Sequence, residues 1–174
     1  MNKIKNIFLI GPTGAGKTTI GKLLAEELKL DFYDSDQEIA QRTGTTIPWI
    51  FAKEGEQGFR QREEYVIAEL TALTNIVLAT GGGAVLSANN RALLTARGDV
   101  VYLQVSLEQQ FARVAHSQDR PLLKTADLPE TLAKMRTQRE PLYTQMADFI
   151  IATDHVSVPA IVKMIIPLVL ENAN

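Results

Sequence analysis

The chain has 174 residues, 45% of them hydrophobic and 22% charged, enough for one domain with a sizeable core. A formal net charge of −2 and a pI near 5.7 argue against a broad nucleic-acid-binding face and leave room only for local basic pockets. The absence of cysteine excludes disulfides, thiolate metal sites and cysteine nucleophiles.

The chain opens MNKIKNIFLIGP, basic and then apolar, but the apolar run is too short for a secretion signal and stops at a glycine loop. Residues 5–10, KNIFLI, read as a buried strand. The helix predicted next carries Ile20, Leu23, Leu24 and Leu28 on one face. DFYDSD reads as a short strand ending in acids. Val66, Ile67, Leu70 and Leu73 mark a helix from Gln57 to Leu73. NIVLAT and VVYLQV are further buried strands, the first ending at GGG. Residues 107–115 read as helix, and HSQDRPLLKTADLP as a polar connection. A helix is predicted from about Pro129 to Met146, then the strand FIIAT, then a helical stripe of Ile161, Val162, Ile165, Ile166, Val169 and Leu170. That last stretch is broken by Lys163 and two prolines, so it does not read as a membrane span.

Continuous apolar strands alternating with amphipathic helices predict an α/β fold, a parallel sheet covered on both faces. Ligands bind such sheets beyond the carboxyl ends of the strands. GPTGAGKT, DSD and GGG all fall at such ends.

GPTGAGKT, starting at Gly11, fits G-x-x-x-x-G-K-[ST], the phosphate loop. Its glycines let backbone N–H groups turn around an anion, and the helix that follows adds its positive end. Lys17 reaches terminal phosphates and Thr18 offers a hydroxyl to Mg²⁺ in such loops. There is no N-K-x-D guanine-reading motif, and NIVLAT ends in glycines rather than in the acid typical of motors. In an extended DSD, Asp34 and Asp36 point the same way. One could help hold Mg²⁺ through water, the other take a proton from an acceptor hydroxyl. The alternative is a solvated turn, or Ser35 and Asp36 capping a helix at QEIAQR. Three glycines at 81–83 serve close backbone approach or a tight turn. Arg136, Arg139 and Tyr143 share a predicted helix face, whereas Arg62 sits among Glu63 and Glu64 as a surface residue. His116 and His155 have no ligand-type partner at metal spacing. Trp49, Phe51 and Phe59 read as core or pocket wall.

Taken in order, GPTGAGKTT, FYDSDQEI, GFRQREE, LATGGGAV, DRPLL and REPLY resemble shikimate kinase, from the phosphate loop almost to the end of the chain. The resemblance implies a single domain over residues 1–174 with a five-stranded parallel sheet of the nucleoside-monophosphate-kinase type. It implies transfer of the γ-phosphoryl group of ATP, with Mg²⁺, to the 3-hydroxyl of shikimate, a step toward aromatic amino acids, by a cytoplasmic monomer. By similarity, Gly14, Ala15, Gly16, Lys17, Thr18 and Thr19 cradle ATP, with Thr18 at the metal and Asp34 near it through water. Asp36 binds the ring hydroxyls, and Lys17, Asp36 and Arg120 form the catalytic set. Arg60 and Arg139 clamp the carboxylate, beside Gly81, Gly82 and Gly83, with Gly82 as backbone donor. Arg120 belongs to a lid over about 117–129. Thr13 stands where many relatives have methionine, and Thr18 where serine is commoner. A gluconate kinase of the same fold and a nucleotide-binding regulatory module without transfer activity are the rival readings.

Overall fold

The computed structural model describes residues 3–115 and 127–174. Five strands, β1 (Asn6–Ile10), β2 (Asp31–Asp34), β3 (Ile76–Ala79), β4 (Gly98–Gln104) and β5 (Phe149–Ala152), form one parallel sheet in the order β2-β3-β1-β4-β5. The helices among the described residues are α1 (Lys17–Leu28), α2 (Ser35–Thr43), α3 (Ile47–Thr71), α4 (Ala88–Arg97), α5 (Leu107–Val114), α6 (Leu128–Met146) and α7 (Val158–Glu171).

The run NIFLI is buried at all five positions because β1 is the central strand. Side chains of a strand alternate between faces, so this one run feeds two cores. Phe8 and Ile10 pack with Ile67, Leu78, Tyr102 and Tyr143. Ile7 and Leu9 pack on the other face with Leu24, Val101, Ile161 and Ile165. The predicted three-layer α/β arrangement is what forms. α7 buries Ile161, Val162, Ile165 and Val169, while Leu170 stays exposed. No helix among the described residues is long and apolar enough to cross a membrane.

Because all strands run the same way, their carboxyl ends share one edge. The register sets Leu9 and Asp34 both level with Ala79. The loops after β1, β2 and β3 therefore meet.

Three elements differ from the sequence reading. β2 stops at Asp34, and Ser35 and Asp36 already belong to α2, so DSD is not extended. The helix predicted from Gln57 begins ten residues earlier in the chain, at Ile47, with Thr46 capping it by accepting from the Trp49 N–H and Pro48 in its first turn. Gly55, at φ 72° and ψ −179°, interrupts α3, and the part beyond it is the segment that the apolar spacing had marked. α4 was not predicted: it buries only Asn90 and Leu94, too thin a stripe to show as periodicity. Phe51 and Phe59 pack with their rings tilted and centroids 4.9 Å apart, whereas Trp49 is exposed.

Candidate active site

The phosphate loop turns between β1 and α1. Gly14 and Gly16 take φ of 84° and 91°, a region that β-carbons disfavour, and Gly16 is the N-cap of α1. Lys17 is buried and donates from Nζ to the Gly11 and Pro12 carbonyls, at 2.6 and 2.9 Å. The loop is braced from α5, where Gln110 Nε2 donates to Thr13 O at 3.0 Å and Arg113 to Gly14 O at 2.8 Å. Ala15 is buried, and Thr19 is exposed in the first turn of α1.

Thr18 Oγ1 donates to Asp34 Oδ2 at 2.5 Å, which ties α1 to the end of β2. The other oxygen of Asp34 accepts the Gln37 N–H at 3.0 Å, so Asp34 is the N-cap of α2. The cap is thus Asp34 rather than Ser35 or Asp36. Ser35 is fully buried and its Oγ accepts the Gly81 N–H at 3.0 Å, joining α2 to the glycine stretch.

The glycine stretch decides between its two proposed uses. None of Gly81, Gly82 and Gly83 has the positive φ that a left-handed turn demands. Each instead stands against a polar side chain. A Cβ on Gly81 would lie 2.8 Å from Asp36 Oδ1 and 2.9 Å from Glu63 Oε2. One on Gly82 would lie 3.2 Å from the Thr13 N and 3.6 Å from an Arg139 Nη. One on Gly83 would collide with the Arg60 guanidinium. The stretch is glycine because two carboxylates, two guanidinium groups and the phosphate loop close on its backbone. It ends in a 3-10 turn, with Ala84 N–H donating to Gly81 O at 3.0 Å.

Arg139 sits on α6 and is 6% exposed. Burial pulls its proton affinity down, and Tyr143 below it partly offsets this. Tyr143 is itself buried, stacked on Tyr102 with centroids 5.0 Å apart, and its hydroxyl donates to Gly82 O. Arg60 Nη1 donates to Glu63 Oε1 at 2.8 Å, and Arg60 lies 5.2 Å from the Phe59 ring centroid. Arg136, on the same helix as Arg139, donates to Val105 O and pairs with Glu140. Arg62 is at the surface as expected, paired with Glu54 across the break at Gly55.

Glu63 is the site residue that the sequence reading missed. It was grouped with the surface acids, yet its side chain is 1% exposed. Burial pushes its carboxyl up to about 7, with Asp36 adding to the rise and Arg60 and Arg139 opposing it. The signal available was spacing: Glu63 follows Arg60 by three residues, one helical turn. His155 is exposed. Arg120 and His116 lie outside the described residues, as do residues 117–126. Leu128 and Pro129, the last residues of the expected lid, form the first turn of α6, capped by Asp127.

The shikimate kinase family model matches residues 13–169. The chain belongs to the shikimate kinase family. It is 56% identical to a shikimate kinase of Legionella pneumophila over 164 residues, 94% of either chain. It is 52% identical to one from Tolumonas auensis over 97% of this chain and 98% of that one. The structure of the shikimate kinase from Acinetobacter baumannii in complex with shikimate superposes with a TM-score of 0.96 at 47% identity, covering 98% of this chain and 96% of the other. The family's reaction is the ATP-dependent phosphorylation of shikimate, and in this chain the glycine stretch, Arg60, Arg139 and the phosphate loop lie together.

Proposed function

We propose that this site transfers the γ-phosphoryl group of ATP to the 3-hydroxyl of shikimate, with Asp36 directing the hydroxyl and Arg60 and Arg139 holding the carboxylate. The observation that carries this reading is the placement of both guanidinium groups and the Asp36 carboxylate against Gly81, Gly82 and Gly83, next to Thr13 of the phosphate loop. Two forked guanidinium groups suit one carboxylate and offset its desolvation. Asp36 is close enough to the same backbone to accept a proton from a ring hydroxyl.

On the donor side, the backbone of Gly14, Ala15, Gly16, Lys17, Thr18 and Thr19 cradles the phosphates, and Lys17 exchanges its carbonyl partners for phosphate oxygens. Thr18 Oγ1 and Asp34 Oδ2, in contact with each other, are the hard oxygen donors that suit Mg²⁺, Asp34 through water. When bound, Mg²⁺ would neutralise charge developing on the phosphates. By the resemblance, Arg120 would complete the set from the expected lid, whose closure would exclude water. A monomer and a cytoplasmic location follow from the resemblance.

The test is ADP release in the presence of shikimate, of gluconate and of neither. Release with shikimate alone is expected. Release with gluconate would return the gluconate-kinase reading, and no release under any of the three conditions would return the regulatory module.

A further inference from the structure

Glu63 is a buried carboxylate in the acceptor pocket to which the reaction gives no task. Its Oε1 accepts from Arg60 at 2.8 Å. Its Oε2 has no hydrogen-bond partner among the described residues and shares one side of Gly81 with Asp36 Oδ1. The charged groups facing it are Arg60 on α3, with Glu56 on the far side of that guanidinium at 3.4 Å, Asp36 on α2 and Arg139 on α6. Within the pocket Asp36 and Glu63 thus balance Arg60 and Arg139, while Glu56 is half-exposed and screened by solvent. A substrate carboxylate arriving between the two arginines adds one negative charge where water is largely displaced.

We infer that Glu63 takes up a proton when the acceptor's carboxylate binds between Arg60 and Arg139, so that the pocket regains charge balance with Asp36 as its one ionised acid. This rests on the acceptor reading above. Arg60, already paired with Glu63 and Glu56, must then serve a third carboxylate, and its hold on Glu63 weakens as the repulsion around Glu63 grows. Glu63 already has a carboxyl pushed up to about 7 by burial, so a further rise on binding keeps a proton on it near neutral pH. The direction follows. Below about pH 6 Glu63 carries its proton before and after binding, and affinity is flat. Above about pH 7 the free protein must acquire a proton on binding, so affinity weakens by as much as ~10-fold per pH unit. The acceptor's own carboxylate stays ionised throughout, because an ordinary carboxyl titrates near pH ~4.

Calorimetric titration of the full chain with shikimate, in buffers of different ionisation enthalpy, counts the protons. Uptake is expected to rise from near none at pH 6 toward one per shikimate at pH 8. Glu63→Gln, a fixed stand-in for the protonated acid, is expected to lose the uptake and to bind shikimate as tightly at pH 8 as at pH 6. Glu63→Asp keeps a titrating carboxyl and is expected to keep the uptake. No uptake by the wild type, uptake that persists in Glu63→Gln, or weak binding by a folded Glu63→Gln at every pH would overturn the proposal. Should Glu63→Gln fail to fold, the wild type decides alone: an affinity that does not change between pH 7 and pH 8.5 rejects it. Failure of the wild type to bind shikimate at all is a different result, and it counts against the acceptor reading itself.

Discussion

The donor and acceptor halves of this site are built by opposite means. The proposed donor half centres on one continuous stretch, Gly11 to Thr19, a backbone cradle shaped by glycines at positive φ, to which Asp34 and Arg120 are added from outside. The acceptor half is assembled from side chains on α2, α3 and α6, brought against a glycine stretch that ends β3. A backbone cradle needs only local conformation, so it tolerates side-chain change nearby. A cluster of buried charges depends on every member, since each compensates the desolvation of the others.

The comparison breaks most sharply at Asp36. Asp36→Asn should lose ~10²–10⁴-fold in turnover while the protein stays folded and binds ATP as before. If turnover and shikimate affinity both stayed near wild type, the acid would be only part of the first turn of α2.

Glu63 tests whether the acceptor half carries the pH sensitivity. Its folded carboxyl lies near 7, above an ordinary value of 4.5. A raised value means stability that is fully present below about pH 4.5 and lost as pH rises through about 7. The ceiling on that loss is about 3 kcal/mol. The Tm of the ligand-free wild type, measured relative to that of Glu63→Gln, should therefore fall between pH 4.5 and pH 7.5 and level off above. A constant difference across that range would remove Glu63 as the titrating group.

Next come the two guanidinium groups. Arg60→Lys or Arg139→Lys substitutes a point charge for a fork, and should raise the KM for shikimate by ~10–100-fold, with the KM for ATP nearly unchanged. Equal losses for both substrates would mean that the two halves are not separately built.

The same contrast explains what could be read in the sequence. The phosphate loop was legible because its residues are contiguous, and the sheet because NIFLI, NIVLAT and VVYLQV are continuous apolar runs. Asp36 was singled out, but for a geometry that does not occur: a helix begins at Ser35, and Asp34 caps it while Asp36 turns toward Gly81. Glu63 looked like any acid in a run of charges, because its burial is decided by the packing of α3 beneath the glycine stretch, a contact between distant parts of the chain. Residues 81–83 were open between two uses until their neighbours were placed. Gly55 gave no warning of the break in α3, since glycine is also found within continuous helices.

The smallest effects should divide cleanly between the halves, because in each a buried neutral side chain holds a backbone carbonyl. Tyr143 OH donates to Gly82 O on the acceptor side, and Gln110 Nε2 donates to Thr13 O on the donor side. Tyr143→Phe keeps the ring stacked on Tyr102 and removes the hydroxyl, with its bond to Gly82 O and its contact with Arg139. Gln110→Met keeps most of the volume and removes its donor likewise. An acceptor left without its bond inside the protein costs about 1–3 kcal/mol, and part of that is recovered if the loop shifts to find water. Such a shift moves Gly82 away from Arg139 in the first case and moves the phosphate loop in the second. Tyr143→Phe should therefore raise the KM for shikimate by ~3–10-fold and leave that for ATP alone, and Gln110→Met should do the reverse. Steady-state kinetics with each substrate varied in turn, for both variants, gives four numbers. If either variant moved both KM values together, Gly82 and Thr13, set so that a Cβ on Gly82 would lie 3.2 Å from the Thr13 N, would be acting as one rigid unit, and the two halves would be separate in construction but not in function.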